Sequence, residues 1–147
     1  MSIRTSENIV FVDASALIGI FNKKDQYHLE AEKIYKKLKE KNLKLIISNY
    51  VAAEAHAVLL NKTKDTTKGL YLLETLHDKA EFRVIFVESD MENNAIESLK
   101  SYKDKLWSIT DMLSFLIMQE LNLKYYFSFD SDFRQHSTFV DIKGYLK

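Results

Sequence analysis

Four carboxylates occupy positions where acids are rarely placed without an offsetting charge. Asp13 ends IVFVD, Glu54 lies inside YVAAEAHAVLL, Asp111 inside SITDMLSFLI, and Asp130 ends YYFSFD. Each is set in or against a strongly apolar segment, where an unpaired ionised carboxylate is very costly. The common offset is a hard cation. Mg²⁺ takes oxygen ligands, often one or two carboxylates with several waters, and Mn²⁺ accepts the same set. One or two such ions can hold an attacking water, lower its pKa and stabilise charge growing on a scissile phosphate.

Each acid also has a plainer reading. Asp13 and Asp130 suit the N-cap of a helical turn that follows a strand. Ser108 and Asp111 have capping-box spacing, although Glu or Gln is the usual third-position partner. Glu54 is harder to explain in this way. It has no lysine or arginine four residues away on either side, and a buried charge is expected to be paired or to bind metal.

Composition narrows the class. The 147 residues suit one domain spanning 1–147, and 46% hydrophobic content supplies a core. The chain has no cysteine, which excludes disulfides, zinc–thiolate sites and a cysteine nucleophile. The first residues, MSIRTSENIVFVD, carry no long apolar stretch with a small-residue cleavage site, and no window reaches membrane-span length. A cytoplasmic protein without a membrane partner is expected. Lys plus Arg number 21 and Asp plus Glu 21, so any grip on nucleic acid must come from a local patch.

The elements that must position the acids alternate between short apolar strands and longer amphipathic stretches, the pattern of a parallel α/β sheet. NIVFVD (8–13), LKLIIS (43–48), FRVIFV (82–87) and KYYFSF (124–129) read as strands, and TFVDI (138–142) as a short fifth. ASALIGIF reads as a brief helix. Tyr27, Ala31, Ile34, Tyr35 and Leu38 recur at helical spacing as one buried face. Asn49 is the expected cap of a helix through Glu54 to about residue 61. Further helices are expected over about 65–77, 90–102 and 108–121. Ligands of such sheets bind beyond the carboxyl ends of the strands, where Asp13 and Asp130 sit. Asp111 falls in a first helical turn. Glu54 lies roughly 7 Å into its helix at ~1.5 Å per residue, with a side chain that leans back toward the same edge.

The set VDASALIGIF, the mid-helix Glu of YVAAEAHAVLL, S-x-T-D leading SITDMLSFLIMQELNL, and FSFDSDF resembles the PIN domains of the VapC toxin type. Order, spacing and local context agree over nearly the whole chain. The resemblance implies a three-layer α/β/α fold with a central, mostly parallel sheet of four to five strands. It implies a metal-dependent endoribonuclease that hydrolyses RNA phosphodiester bonds, with Asp13, Glu54, Asp111 and Asp130 as an acidic quartet and Ser15 as an assisting hydroxyl. It further implies a homodimer and a cognate VapB-type antitoxin that blocks the site. One position departs from the family pattern: Met112 stands where a small residue is frequent.

Within that chemistry Asp13 and Asp111 are the expected direct ligands of Mg²⁺, for which Mn²⁺ can substitute. Glu54 and Asp130 complete the site directly or through water, one of them accepting a proton. Asp132 is expected as a cap directed toward Arg134 or as a supporting group. A bend of the chain after Asp130 is expected to leave that residue beside Asp13. Lys23, Lys24, Lys62, Lys64, Lys103, Lys105 and Arg134 are candidates for the RNA backbone, with Lys62, Lys64 and Arg134 foremost. His28, His56, His77 and His136 show no metal-ligand pairing, and the aromatics of YYFSF read as core. The apolar surface of 66–76, with Leu70, Tyr71, Leu73 and Leu76, is the expected dimer face.

Two rival classes differ in testable ways. A receiver-type phosphoacceptor needs an Asp after a central strand and a later Lys, and neither LKLIIS nor FRVIFV supplies that Asp. A catalytically silent PIN-like module that binds RNA or protein would show no divalent-dependent turnover. The same acids serve cleavage of a tRNA loop, a ribosomal stem-loop or mRNA, because RNA specificity rests on groove shape and loop contacts.

Overall fold

The computed structural model describes residues 8–136 and 138–146. The initial residues 1–7, read above as free of a targeting sequence, lie outside the described residues. Among the described residues no helix is long and apolar enough to cross a membrane.

Five strands form one parallel sheet: β1 (Ile9–Val12), β2 (Lys44–Ser48), β3 (Arg83–Ile85), β4 (Tyr125–Phe127) and β5 (Val140–Asp141), in the order β3-β2-β1-β4-β5. The central strand β1 buries Val10, Phe11 and Val12 completely, as expected where helices cover both faces of a parallel sheet. Strand order reverses at β1. Chain growth from β1 to β3 runs through α1 (Ala14–Phe21), α2 (His28–Glu40), α3 (Asn49–Thr63) and α4 (Thr66–Leu76). Growth in the opposite direction runs through α5 (Ser89–Leu99), α6 (Ile109–Glu120) and α7 (Ser131–Arg134), and α8 (Ile142–Tyr145) follows β5. Right-handed crossovers place the first group on one face and the second on the other. The result is a three-layer α/β/α arrangement around one contiguous apolar core.

The acid-bearing turns are anchored from this core. Phe133 of α7 is fully buried and packs on Phe11, Phe115 and Tyr126, with ring centroids 6.3, 5.1 and 4.7 Å away. The four-residue α7 is too short to be stable alone, so this ring fixes the turn that carries Asp130 and Asp132. Met112, the departure from the family pattern, is buried beside Leu113 in the core.

Several boundaries differ from expectation. Ser48, rather than Asn49, caps α3, its Oγ accepting the Val51 N–H at 3.0 Å. Asn49 instead accepts the Val87 N–H at 2.8 Å, tying the end of the β3 segment to α3. That bond stands where a longer strand was expected, and β3 stops at Ile85. Tyr27 is not on the buried face of α2. It occupies the N-cap position and is 38% exposed, whereas Ala31, Ile34 and Leu38 are buried. On α4, Leu72 and Leu76 enter the core while Leu70 and Tyr71 stay exposed, which narrows the expected dimer face.

Candidate active site

Strand register builds the site at the topological switch point, the crevice between β1 and β4. Val12 pairs with Phe127, and the Asp13 N–H donates to the Phe127 carbonyl at 2.9 Å. Asp13 and Ser128 therefore leave their strands side by side. The Asp13 carboxylate is buried and makes no capping bond to α1. Its Oδ2 accepts the hydroxyls of Ser128 at 2.9 Å and Ser15 at 3.0 Å. Each serine also accepts a backbone N–H from the turn after β4, Ser15 from Phe129 and Ser128 from Asp130, both at 2.9 Å. Two hydroxyls thus lock the first acid to the turn that bears the fourth. Ser15, expected as an assisting hydroxyl, is hydrogen-bonded to the Asp13 carboxylate. Ser128 was not anticipated, although parallel pairing of IVFVD with YYFSFD would have put it beside Asp13.

The other acids arrive on helix ends. Ser108 and Asp111 form a reciprocal capping box at the start of α6: Asp111 N–H donates to Ser108 Oγ at 3.1 Å, and Ser108 N–H to Asp111 Oδ2 at 3.0 Å. Asp130 caps α7, its Oδ1 accepting the Asp132 N–H at 3.0 Å. Asp130 thus takes the N-cap that its place after a strand suggested, whereas Asp132, expected as a cap, is not one. Asp130 is the cap, and Asp132 sits in the first turn, facing Asp111 and Asp130 rather than capping toward Arg134. A cap uses one carboxylate oxygen, so Asp111 and Asp130 each keep another for a ligand.

Glu54 lies in the second turn of α3, and its side chain feels the charges of Asp13, Asp111 and Asp130. It is exposed to solvent on its outer side, against the expectation of an apolar setting. Asp130 is likewise exposed and Asp111 half-buried, which leaves Asp13 as the one fully buried member of the four.

Burial and acidic neighbours raise the proton affinity of Asp13, Glu54, Asp111 and Asp132. Burial pushes Asp13 above the usual carboxylate range, the Ser128 and Ser15 hydroxyls and the Ala14 N–H pull it back, and Asp130 pushes further. Burial also raises Asp111, opposed by the Ser108 N–H and reinforced by the charge of Asp13. Partial desolvation on the crevice side, then Asp13, Asp111 and Asp130, push Glu54 up to about 7. Asp132 rises to about 6, first through desolvation and then through Asp130 and Asp111. Among the described residues no ion pair reaches any of these five acids.

This donor set fits a hard divalent cation: carboxylate oxygens of mutual repulsion, with no protein cation to offset them. Among the described residues no three acidic or histidine side chains already close on one point. Of the basic candidates, Lys62 and Arg134 line a groove shared with Ser15 and Asp130. Lys64 does not line it. It ends α3 in a left-handed conformation and bonds Asn61 at 3.1 Å. Lys23, Lys24, Lys103 and Lys105 also lie outside the lining of that groove. His28 bonds the Gly19 carbonyl at 2.8 Å, and His136 stacks among Trp107, Phe115 and Phe139, so both are structural.

Comparison with known proteins agrees with this architecture. The PIN-domain family profile matches residues 10–138. Mycobacterium tuberculosis VapC20, described as a sarcin–ricin loop cleaving toxin, is similar in structure with a TM-score of 0.79 and 25% identity over 89% of this chain and 96% of that one. A chain of Rickettsia felis VapBC2, solved bound to a DNA fragment from its promoter, has the same fold with a TM-score of 0.61 at 16% identity, over 90% of this chain and 96% of that one. Comparison with curated proteins gave no match. With the profile spanning nearly all of the described chain and the acids gathered at the switch point, the protein belongs to the PIN-domain family.

Proposed function

We propose that the protein is a divalent-metal-dependent endoribonuclease acting as the toxin of a VapBC-type pair. The observation that carries this reading is the uncompensated acid cluster at the switch point, five carboxylates without an ion-paired lysine or arginine among the described residues. The similarity to a ribosomal-loop-cleaving VapC supports RNA as the polymer.

The residues have distinct duties in this reading. Asp13 is the fixed point, oriented by Ser15 and Ser128 with Oδ1 left for a ligand. Asp111 and Asp130 contribute the oxygens that their caps do not use. Asp132 adds negative charge against Asp111. Glu54, raised to about 7 in the metal-free protein by desolvation and by Asp13, Asp111 and Asp130, is placed to exchange a proton with water at the site. Mg²⁺ or Mn²⁺, when bound by these acids, supplies Lewis-acid stabilisation of charge on the scissile phosphate.

A VapB-type antitoxin as partner accords with the VapBC2 resemblance in fold. A homodimer accords with the exposed Leu70 and Tyr71 on α4. Brief induction of wild type and Asp111→Asn, followed by sequencing of RNA 5′ ends, tests the function and identifies the target. New ends at a small number of RNA sites with wild type alone are expected. Identical end profiles for the two proteins would reject the nuclease reading in favour of a silent binding module.

A further inference from the structure

Beside the acids lies a groove of about 440 Å³ whose wall joins Asp130 to Lys62, Arg134, Phe129 and Tyr27. Tyr27 and Phe129 stack nearly parallel, with centroids 4.5 Å apart and an interplanar angle of 5°. The Lys143 ammonium also lies over the Phe129 ring, 4.9 Å from its centroid. We propose that Tyr27 is a stacking platform for the base of a nucleotide adjoining the cleaved bond, with Lys62 and Arg134 gripping the flanking phosphates of a single-stranded RNA segment. The identity of the polymer rests on the ribonuclease reading above.

Three observations carry the assignment. The first is position, because the groove shares Ser15 and Asp130 with the acid cluster. A chain whose phosphate lies at the acids must pass an adjoining nucleotide along this wall or leave the protein. The second is chemistry. Lys62 and Arg134 form no ion pair among the described residues, and an aromatic face beside free cations suits a polymer that alternates bases with phosphates. The groove is at the lower end of the volume range of small-ligand sites, room for about one nucleotide unit.

The third is rigidity. The loop carrying Tyr27 is held by its own side chains. Asn22 Oδ1 accepts the Lys24 N–H at 3.1 Å, and Asp25 Oδ2 accepts the Tyr27 N–H at 3.0 Å. His28, next in sequence, bonds the Gly19 carbonyl at 2.8 Å. Gly19 lets α2 approach α1 so closely that a Cβ there would stand 2.9 Å from Ala31 Cβ. A ring backed by Phe129 on so tethered a loop loses little freedom when a base stacks on it, which is the condition for a useful platform.

The test compares two fluorescein-labelled oligomers of equal length in chelator, where metal-dependent cleavage does not proceed: a mixed-sequence single-stranded oligoribonucleotide and its fully abasic counterpart. Wild type should bind the base-bearing oligomer roughly tenfold more tightly, the scale of one base stacked on an aromatic ring. Tyr27→Ala should bring that ratio close to one, and Tyr27→Trp should keep it. Tyr27→Leu, which retains an apolar contact with Phe129, serves if Tyr27→Ala does not fold, and should also lose the ratio. Lys62→Glu with Arg134→Glu should weaken both oligomers alike. A wild-type ratio of one, or a Tyr27→Ala or Tyr27→Leu protein with the wild-type ratio, would overturn the platform. A wild type that prefers bases through Tyr27 yet cleaves no RNA would support the platform while rejecting the nuclease reading.

Discussion

Replacing Glu54 with Gln should stabilise the metal-free protein above neutral pH. Glu54 is raised from 4.5 to about 7 in the folded protein, so the folded state holds this proton more tightly than the unfolded chain does. The associated stability is present below the unfolded pKa and is lost as pH rises from about 4.5 through about 7. At about 1.4 kcal/mol per pKa unit the full shift corresponds to about 3 kcal/mol. Glu54 is exposed, however, and solvent screening reduces the expected effect to about 1 kcal/mol. For a chain of this size that is a rise in Tm of about 3 °C. Thermal unfolding followed by circular dichroism in chelator should show this gain for Glu54→Gln near pH 8 and little of it near pH 5. Millimolar Mn²⁺ should then stabilise wild type more than the variant, because a ligand of the folded state acts in proportion to its affinity. A variant no more stable than wild type near pH 8, or a gain of equal size at both pH values, would refute the charge-crowding argument.

Asp132→Asn should likewise raise the Tm of the metal-free protein near pH 8, since Asp132 is pushed to about 6 by desolvation and by Asp130 and Asp111; a lower Tm would contradict its place in the cluster. Asp130→Ala should abolish cleavage, and its loss of the α7 cap, ~1 kcal/mol, should offset the relief of charge on Asp13, Glu54, Asp111 and Asp132, so a gain in stability larger than that of Glu54→Gln would argue against the capping geometry. Ser128→Ala withdraws a hydroxyl from the buried Asp13 and should cost roughly 1.5–3 kcal/mol near pH 8, less where Asp13 is protonated; equal loss at low pH would count against it. Light scattering at micromolar concentration should report a dimer that Leu70→Glu with Tyr71→Glu dissociates, and a monomeric wild type would reject the α4 face as an interface.

The sheet was legible because β/α alternation is written in hydrophobic period, and NIVFVD and KYYFSF are bounded by polar turns. Strand lengths were not, since the end of FRVIFV is decided by a tertiary bond, Val87 N–H to Asn49, that no local pattern reveals. The gathering of the acids followed from strand ends and helix starts. Their burial did not, because the apolar neighbours of Glu54 in sequence lie on other faces of α3: Val51, Ala52 and Ala55 are buried while Glu54 is exposed. Asp132 does not cap because the helix starts at Ser131, one residue before it, and helix starts are uncertain by a residue or two in any sequence reading. Tyr27 has the i, i+4 relation to Ala31 that suggests a shared face, yet an N-cap residue is outside the helical period and its ring points elsewhere.

The central claim is that the acids at the switch point cleave RNA with the help of a divalent cation. Purified wild type and Asp111→Asn, incubated with a synthetic RNA carrying the site mapped by end sequencing, test it in chelator, Mg²⁺ and Mn²⁺. Cleavage by wild type with either metal, none in chelator, and none by folded Asp111→Asn is the predicted result. Cleavage that persists in chelator, or that Asp111→Asn retains, would contradict the account.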